Sequence, residues 1–425
     1  MQSRQTRHRR LKTTRTQPAS TIPLNPAVSE RPLTICLVGW EYPPEGGGGG
    51  VGSYIHDMAH GLTDVGHRVI VLAGSLSRDQ HYRDKSVEVY RIVPRFDPHL
   101  GRRRLLWRLS WVWSGYQLTF TLKLLEIIRR QRIDLIESPE MHSETFFFSL
   151  LPRKRPPLVV RLHAGATVLH NRFNYEPTAS LRRAIWMERT LLQRANGISA
   201  PSIAAADATR QSTGLTLRDI EVVPNPVDTE TFHPLKSEIK SKPVVLFAGG
   251  INQVKGIELL KEVIPTVLDK VREAEFWFVG PSPADAASLL DQMKAEWRAR
   301  IKLLGFLPRA SLPDIYAQAK VVVLTSPWES FGYTCAEAMA CGKPVVCVAG
   351  SGPEEIIGQC PPLLINPRDA KGFADRVVYI LRLEEPVYDE LAARVRSRIL
   401  QKCASGIVVP RMVAFYRQVL ARRER

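Results

Sequence analysis

Cysteine is scarce: the 425-residue chain holds six, Cys36, Cys335, Cys341, Cys347, Cys360 and Cys403, none of them in a C-x-x-C pair. That is too sparse for a disulfide framework and fits a reducing compartment. Long apolar runs are missing too. The longest uncharged one, roughly Leu109 to Leu122 between Arg108 and Lys123, falls short of the ~20 residues that cross a bilayer. No D-x-D occurs anywhere, which removes the usual carboxylate pair for a metal-bridged diphosphate, and the His and Cys spacings offer no zinc set. The N-terminus lacks the apolar core of a secretory signal, and its Arg, Ser and Thr without an acid up to Ser29 resemble a transit peptide only in outline. What is present is ordinary globular stock, 44% apolar and 24% charged, in a chain too long for one hydrophobic core. Lys and Arg number 59 against 42 Asp and Glu, a net charge of +17. That favours anionic partners: nucleotides, sugar phosphates, nucleic acid or an acidic membrane surface.

Residues 1–31 carry Arg4, Arg7, Arg9, Arg10, Lys12 and Arg15, several prolines and no apolar periodicity. Such a segment cannot offset the ordering cost of folding, so a disordered basic tail is expected. Over 32–235, strand-like apolar runs alternate with helical patterns: LTICLVGW (33–40), a helix near 51–65, RVIVLAG (68–74), VEVYRIV (87–93), a long helix near 104–131, IDLIES and PLVVRLH. A polar, proline-containing stretch over 221–242 reads as a hinge. Alternation restarts near 243 with VVLFAG, EFWFVG, IKLLGF, VVVLTS and PVVCVA, giving a second domain over 236–408. Residues 409–425 read as a C-terminal helix that can cross back to the first domain. Strand and helix alternation of this kind predicts α/β domains with parallel sheets. In open α/β sheets ligands bind beyond the carboxyl ends of the strands, so two such domains in tandem point to a cleft between them.

Gly46 to Gly50, Val51 and Gly52 follow the first strand and precede a helix, a context in which backbone amides can cradle a phosphate. Gly47, Gly49 and Gly52 satisfy G-x-G-x-x-G. The dinucleotide reading is disfavoured all the same, because WEYPPE intervenes and the second strand ends in Ala73-Gly74 without a ribose-binding acid.

The segment SPWESFGYTCAEAMACGKPVV puts Glu329 just after a strand and Glu337 eight positions on, inside a helix that opens after Gly332. A helix N-terminus at Tyr333 and Thr334 offers N–H groups and a positive dipole end to a diphosphate. Carboxylates on either side can hold hydroxyls of sugar and ribose. This resembles the Glu-x7-Glu signature of the retaining glycosyltransferases of family 4, which have the GT-B fold of two facing Rossmann-like domains. The resemblance extends over about 33–425 and includes GHRVIVL, PNPVDTETF, FAGGINQVKG, FVG and GFLP.

The resemblance implies that Gly49, Gly50 and Gly52 approach the donor diphosphate and that Lys255 neutralises it as it leaves. It implies that Glu329 and the amides of Phe331 and Gly332 hold donor-sugar hydroxyls, that Glu337 binds ribose, and that Phe306 and Leu307 receive the base. His163, at the end of PLVVRLH, matches a histidine that contacts the donor sugar near the reacting centre. His142 and Glu144, a polar cluster in SPEMHSETF, are an acceptor-side reading. The family commonly has G-R-L-x-x-x-K-G, whereas GGINQVKG places Gly250 where the diphosphate-pairing arginine would stand. The implied activity is hexosyl transfer from a nucleotide-diphosphate sugar to a saccharide or lipid-linked acceptor with retention of configuration, without a metal or other cofactor.

Residues 102–132 interleave Trp107, Trp111, Trp113, Tyr116 and Phe120 with Arg102, Arg103, Arg104, Arg108, Lys123, Arg129, Arg130 and Arg132, against Glu126 alone. This suits peripheral contact with an anionic membrane by a cytoplasmic protein, and it equally suits a crossover helix packed on the sheet. No nucleic-acid motif accompanies the charge, so nucleic acid is not an expected partner. Two other functions stay open: a GT-B sugar epimerase, which needs no acceptor, and a non-catalytic nucleotide-sugar-binding protein, for which Gly250 is the only support.

Overall fold

A computed structural model describes residues 31–45, 49–94, 112–152, 154–217, 219–235, 243–280, 289–358, 360 and 363–424. The basic tail before Arg31, Gly46 to Gly48 and the charged segment before Val112 lie outside the described residues.

The first half is built on β1 (Thr34–Val38), β2 (Arg68–Gly74), β3 (Gln80–Asp84), β4 (Val87–Ile92), β5 (Leu135–Pro139), β6 (Leu158–Arg161), β7 (Gly197–Ala200) and β8 (Ile220–Val222). They form one sheet in the order β3-β4-β2-β1-β5-β6-β7-β8. All pairings are parallel except β3 with β4. Parallel sheets are covered on both faces, which is why TICLV and VIVLA read as unbroken apolar runs. One face receives α1 (Gly50–Asp64), whose buried Val51, Tyr54, Ile55, Met58, Ala59 and Leu62 form a single helical stripe. The other receives α2 (Val112–Arg130) through Tyr116, Phe120, Leu124 and Ile127. Tyr116 and Phe120 are therefore crossover-helix core rather than membrane anchors. Among the described residues no helix is long and apolar enough to cross a membrane. The polar edge strand β3, QHYRD, carries no apolar signal. It is held by backbone pairing with β4 and leaves a charged, non-sticky sheet edge.

Between β5 and β8 lie α3 (Phe146–Leu150), α4 (Ala166–Phe173), α5 (Ala179–Arg194) and α6 (Ile203–Thr213). The second half repeats the plan with β9 (Val244–Ala248), β10 (Glu275–Val279), β11 (Ile301–Gly305), β12 (Ala319–Leu324), β13 (Val345–Val348) and β14 (Leu364–Ile365). Its order is β11-β10-β9-β12-β13-β14 and every pairing is parallel. The helices described here are α7 (Ile257–Lys270), α8 (Ala295–Arg298), α9 (Leu312–Gln318), α10 (Tyr333–Ala340), α11 (Gly352–Ile357), α12 (Ala370–Leu381) and α13 (Glu385–Lys402).

The last helix, α14 (Ser405–Glu424), packs on the first half. Val408, Val409, Met412, Phe415, Tyr416 and Val419 join the core formed by α1 and β1. Its anchor is polar as well as apolar: Tyr416 Oη donates to Glu137 Oε2 at 2.8 Å, and Tyr54 Oη donates to Oε1 at 2.6 Å. Burial pushes the Glu137 carboxyl up although Arg161 and both phenols pull it down. Tyr416→Phe should therefore cost about 1–3 kcal/mol, because a buried oxygen loses its donor. Denaturant midpoints measure this, and an unchanged midpoint would mean that α14 docks by apolar contact alone.

Candidate active site

The carboxyl ends of the two sheets meet at a cavity of about 460 Å³, within the range of small-ligand sites. From the first half it is walled by Gly49, Gly50, Met141 and His163, and from the second by Lys255, Phe306, Leu307, Glu329, Thr334 and Glu337. Phe331, Gly332 and Tyr333 also line it, as does Gly250.

Gly49 is the N-cap of α1 and Gly50 its first residue. A Cβ at Gly49 would stand 2.3 Å from Glu41 Oε2, so the loop closes over a carboxylate only because that side chain is absent. Glu41 accepts the Gly52 N–H at 3.0 Å, and burial pushes its carboxyl up. This corrects the reading of Gly52: its amide is engaged by Glu41, and it does not line the cavity.

On the opposite wall, Asn252 caps a turn through Lys255 N at 3.1 Å. Lys255 Nζ donates to Glu329 Oε1 at 2.6 Å, and Ser326 Oγ donates to the same oxygen at 2.8 Å. Gly256 follows with φ +76°, and a Cβ there would lie 2.0 Å from Thr325 O. The Lys-Gly pair of the sequence thus lets the loop close on the end of β12, where Thr325 Oγ1 donates to Lys255 O at 2.8 Å. Gly332, at φ +88°, starts α10 beside it. Thr334 Oγ1 donates to Ala248 O, and Tyr333 Oη donates across to Pro226 O.

Glu337 is buried and does not stand alone. Arg309 Nε donates to its Oε1 at 2.7 Å, and the two terminal guanidinium nitrogens donate to Asp57 Oδ1 and Oδ2 at 2.6 and 2.8 Å. One cation therefore joins α1 of the first half to α10 of the second. Burial pushes Asp57 up, but Arg309 holds it below the usual carboxylate range, whereas burial leaves Glu337 raised despite the same partner. Arg309 was not singled out in the sequence. Its only signal was its place directly after GFLP.

His163 lies just past the end of β6 with its backbone N–H bonded to Glu140 at 2.7 and 2.8 Å, and Glu140 also takes the Gly165 N–H at 2.8 Å. Burial, with help from Arg161, pushes the imidazole down to about 3, so it is neutral. Its Nε2, like Trp328 Nε1, is buried on the cavity wall without a partner among the described residues. Buried polar atoms of this kind are what a bound hydroxyl would satisfy. Beneath them burial raises Glu140 to about 7 and Glu188 to about 8.

The acceptor-side reading of Glu144 is corrected. Glu144 is fully buried, accepts from Trp40 N and Tyr116 Oη at 3.1 and 3.0 Å, and is pushed up by burial to about 8. It ties the turn after β1 to α2. His142 is exposed on a left-handed turn at φ 62°, and neither side chain lines the cavity.

Two facing α/β units with their strand ends on one cleft, carrying Lys255 and the Glu329 and Glu337 pair, define a GT-B glycosyltransferase architecture. The profile described as Glycosyltransferase Family 4 matches residues 48–231, and that of Glycosyl transferases group 1 matches 242–382. The chain belongs to this family. It is 25% identical over 378 residues to a glycogen synthase of Mycobacterium tuberculosis, covering 86% of this chain and 89% of that one. To the 2-deoxystreptamine glucosyltransferase of Streptomyces kanamyceticus it is 28% identical over 356 residues, 79% and 90% of the two chains. Among solved structures, sucrose-phosphate synthase from Thermosynechococcus elongatus aligns with a TM-score of 0.74 at 19% identity over 92% of this chain and 99% of that one. Anabaena HepE in complex with UDP-glucose aligns at 0.67 and 19%, over 91% and 100%.

Two outcomes are expected. Arg309→Ala strands two buried carboxylates and should cost about 3–5 kcal/mol, with Arg309→Lys recovering only part because an ammonium cannot span both; denaturation of the three proteins measures this. Glu188 has a folded pKa raised above its unfolded value, so its stabilising protonated state is fully populated below about pH 4.5 and lost as pH rises through about 8. Glu188→Gln should then be more stable than the parent at pH 9, by on the order of 1–3 kcal/mol, with the gain vanishing near pH 4.5. A pH-independent difference would contradict the burial account.

Proposed function

We propose that the protein transfers a hexosyl unit from a nucleotide-diphosphate sugar to a saccharide or lipid-linked acceptor with retention of anomeric configuration. The observation that carries this reading is the Lys255–Glu329 pair at 2.6 Å on the wall of the interdomain cleft. This pair sets a cation beside a carboxylate able to accept sugar hydroxyls, in the same cleft as His163, which supports the reading. In the proposed reaction the bond from the anomeric carbon to the diphosphate oxygen breaks and the acceptor hydroxyl oxygen bonds to that carbon from the same face. The hydroxyl proton passes to the departing phosphate. Lys255 and the amides at the start of α10 take up the growing phosphate charge, work that a metal would otherwise do. His163 and Glu329 hold donor-sugar hydroxyls. His163, held neutral by burial, orients the sugar rather than supplying a proton. Phe306 and Leu307 receive the base, Glu337 the ribose, and His142 stands on the acceptor side. Contact of the basic residues of the 102–132 segment with an anionic membrane, without Tyr116 and Phe120 as anchors, would bring a lipid-linked acceptor to the cleft.

The test is product analysis with UDP-, GDP- and ADP-sugars, with and without acceptor. Transfer should be found with one donor class, and Lys255→Ala and Glu329→Ala should each lower kcat/KM by about 10²–10³-fold while the fold is retained. Undiminished transfer in both variants would overturn the residue roles. Isomerised donor without any acceptor would establish an epimerase instead, and donor binding without turnover a binding protein.

A further inference from the structure

Beside the cleft, α1 carries a second polar grouping that sugar transfer does not use. His56 and His60 stand four positions apart and so project from one face of the helix, one turn apart; their ring centroids are 4.4 Å apart. Asp84, the last residue of β3, comes up to the same face with Oδ2 3.2 Å from His60 Nε2. One ligand atom from each of the three lies within 4.8 Å of the other two. Two ligand nitrogens on one tetrahedral zinc ion stand about 3.3 Å apart at bonds of about 2.0 Å, so a small inward adjustment brings all three to bonding distance. The side chains have room to make it, being 30%, 15% and 31% exposed for His56, His60 and Asp84, which also leaves water access to a fourth position.

The surroundings match those of ligating side chains. His56 Nδ1 stands 3.1 Å from Asp57 Oδ1, a carboxylate of the kind that orients a metal-bound imidazole. Tyr42, fully buried, donates its Oη to Asp84 Oδ2 at 2.7 Å and fixes that carboxylate from behind. Two imidazoles and one carboxylate suit zinc and its first-row neighbours, whereas magnesium and calcium take all-oxygen sets.

We propose that His56, His60 and Asp84 form a site for a divalent first-row transition ion, zinc in particular, and that Asp57 couples it to the cleft. The ion plays no part in the proposed chemistry at the diphosphate. Its effect is structural. By holding His56, it fixes the turn of α1 that presents Asp57 to Arg309, and so the first-half end of the bridge to Glu337. The sequence reading passed over this site because the His-x3-His pair is completed only by an aspartate on a strand with no apolar pattern.

The experiment is binding of Zn²⁺ and Co²⁺ to the full-length chain by equilibrium dialysis and visible absorption, comparing the parent with His56→Ala and His60→Ala. Both imidazoles are partly exposed, so each variant serves as a check on folding of the other. The parent should bind one ion more than either variant, with at least tenfold higher Zn²⁺ affinity at that site. It should give a Co²⁺ absorption that both variants lose. Added Zn²⁺ should raise the melting temperature of the parent but not of the variants. Asp57→Asn should weaken the site tenfold or more without abolishing it. Equal Zn²⁺ binding by parent and variants, or no Zn²⁺-dependent rise in melting temperature, would overturn the proposal, and an unchanged affinity in Asp57→Asn would remove the coupling to the cleft.

Discussion

A single guanidinium stands between two buried carboxylates that come from opposite halves of the chain, and the cleft takes its shape from that arrangement. Arg309 meets Asp57 with a two-pronged contact and Glu337 with its third nitrogen. Taking these charges out of water is costly, and the cost is recovered only if all three groups are in place with good geometry. The bridge therefore acts as a registration device: α1 and α10 can satisfy it in only one relative placement. Smaller contacts agree with it. Glu355 accepts the backbone N–H groups of Ile203 and Ala204 at 3.0 and 2.9 Å, so a carboxylate of the second half caps α6 of the first. Ser202 Oγ donates to Ser330 O at 2.6 Å alongside.

Within that frame the glycines and the strand ends do local work. Parallel sheets present all their carboxyl ends on one side, so loops from β1, β6, β9 and β12 converge without further instruction. Closing them requires backbone approaches that a side chain would block. Gly256 against Thr325 O and Gly49 against Glu41 are two of the places where a Cβ would collide. The result is a wall on which Lys255 is already aligned with Glu329, and on which His163 Nε2 and Trp328 Nε1 are buried without a hydrogen-bond partner among the described residues.

The doubly covered strands were legible because burial on both faces writes itself as runs such as VVLFA and AKVVVL. The Glu329 and Glu337 spacing was legible because it straddles a helix start. The edge strand QHYRD was not, since backbone pairing with β4 and polar side-chain bonds such as Tyr42 to Asp84 and Arg91 to Tyr82 hold it, and neither writes an apolar pattern. Nor does spacing tell which way a side chain turns. Glu144 and Gly52 sit at the right strand end and the right loop, yet one faces the interior behind Trp40 and the other gives its amide to Glu41. Asp57 and Arg309 are 252 positions apart, and neither carries a local pattern, so the contact that registers the two halves left no trace that could be read before folding.

The charge balance of the cleft bears on the glycine at position 250. Lys255 and Arg309 are the Lys and Arg side chains on its wall, facing Glu41, Glu329 and Glu337. Each is already matched, Lys255 by Glu329 and Arg309 by Asp57 and Glu337. An arginine at 250 would have added positive charge; under the proposed function, without one, a donor diphosphate would draw Lys255 away from Glu329. That exchange leaves a carboxylate without its cation unless something else donates to it. Under the proposed function the donor's own sugar hydroxyls do so. The nucleotide portion and the sugar are then held interdependently, since release of the lysine to the phosphate and capture of the sugar by the glutamate are two sides of one exchange. A nucleotide lacking its sugar would meet the same lysine at the cost of an unsatisfied carboxylate. Under the proposed function, glycine at 250 would shift discrimination from charge alone toward the intact donor.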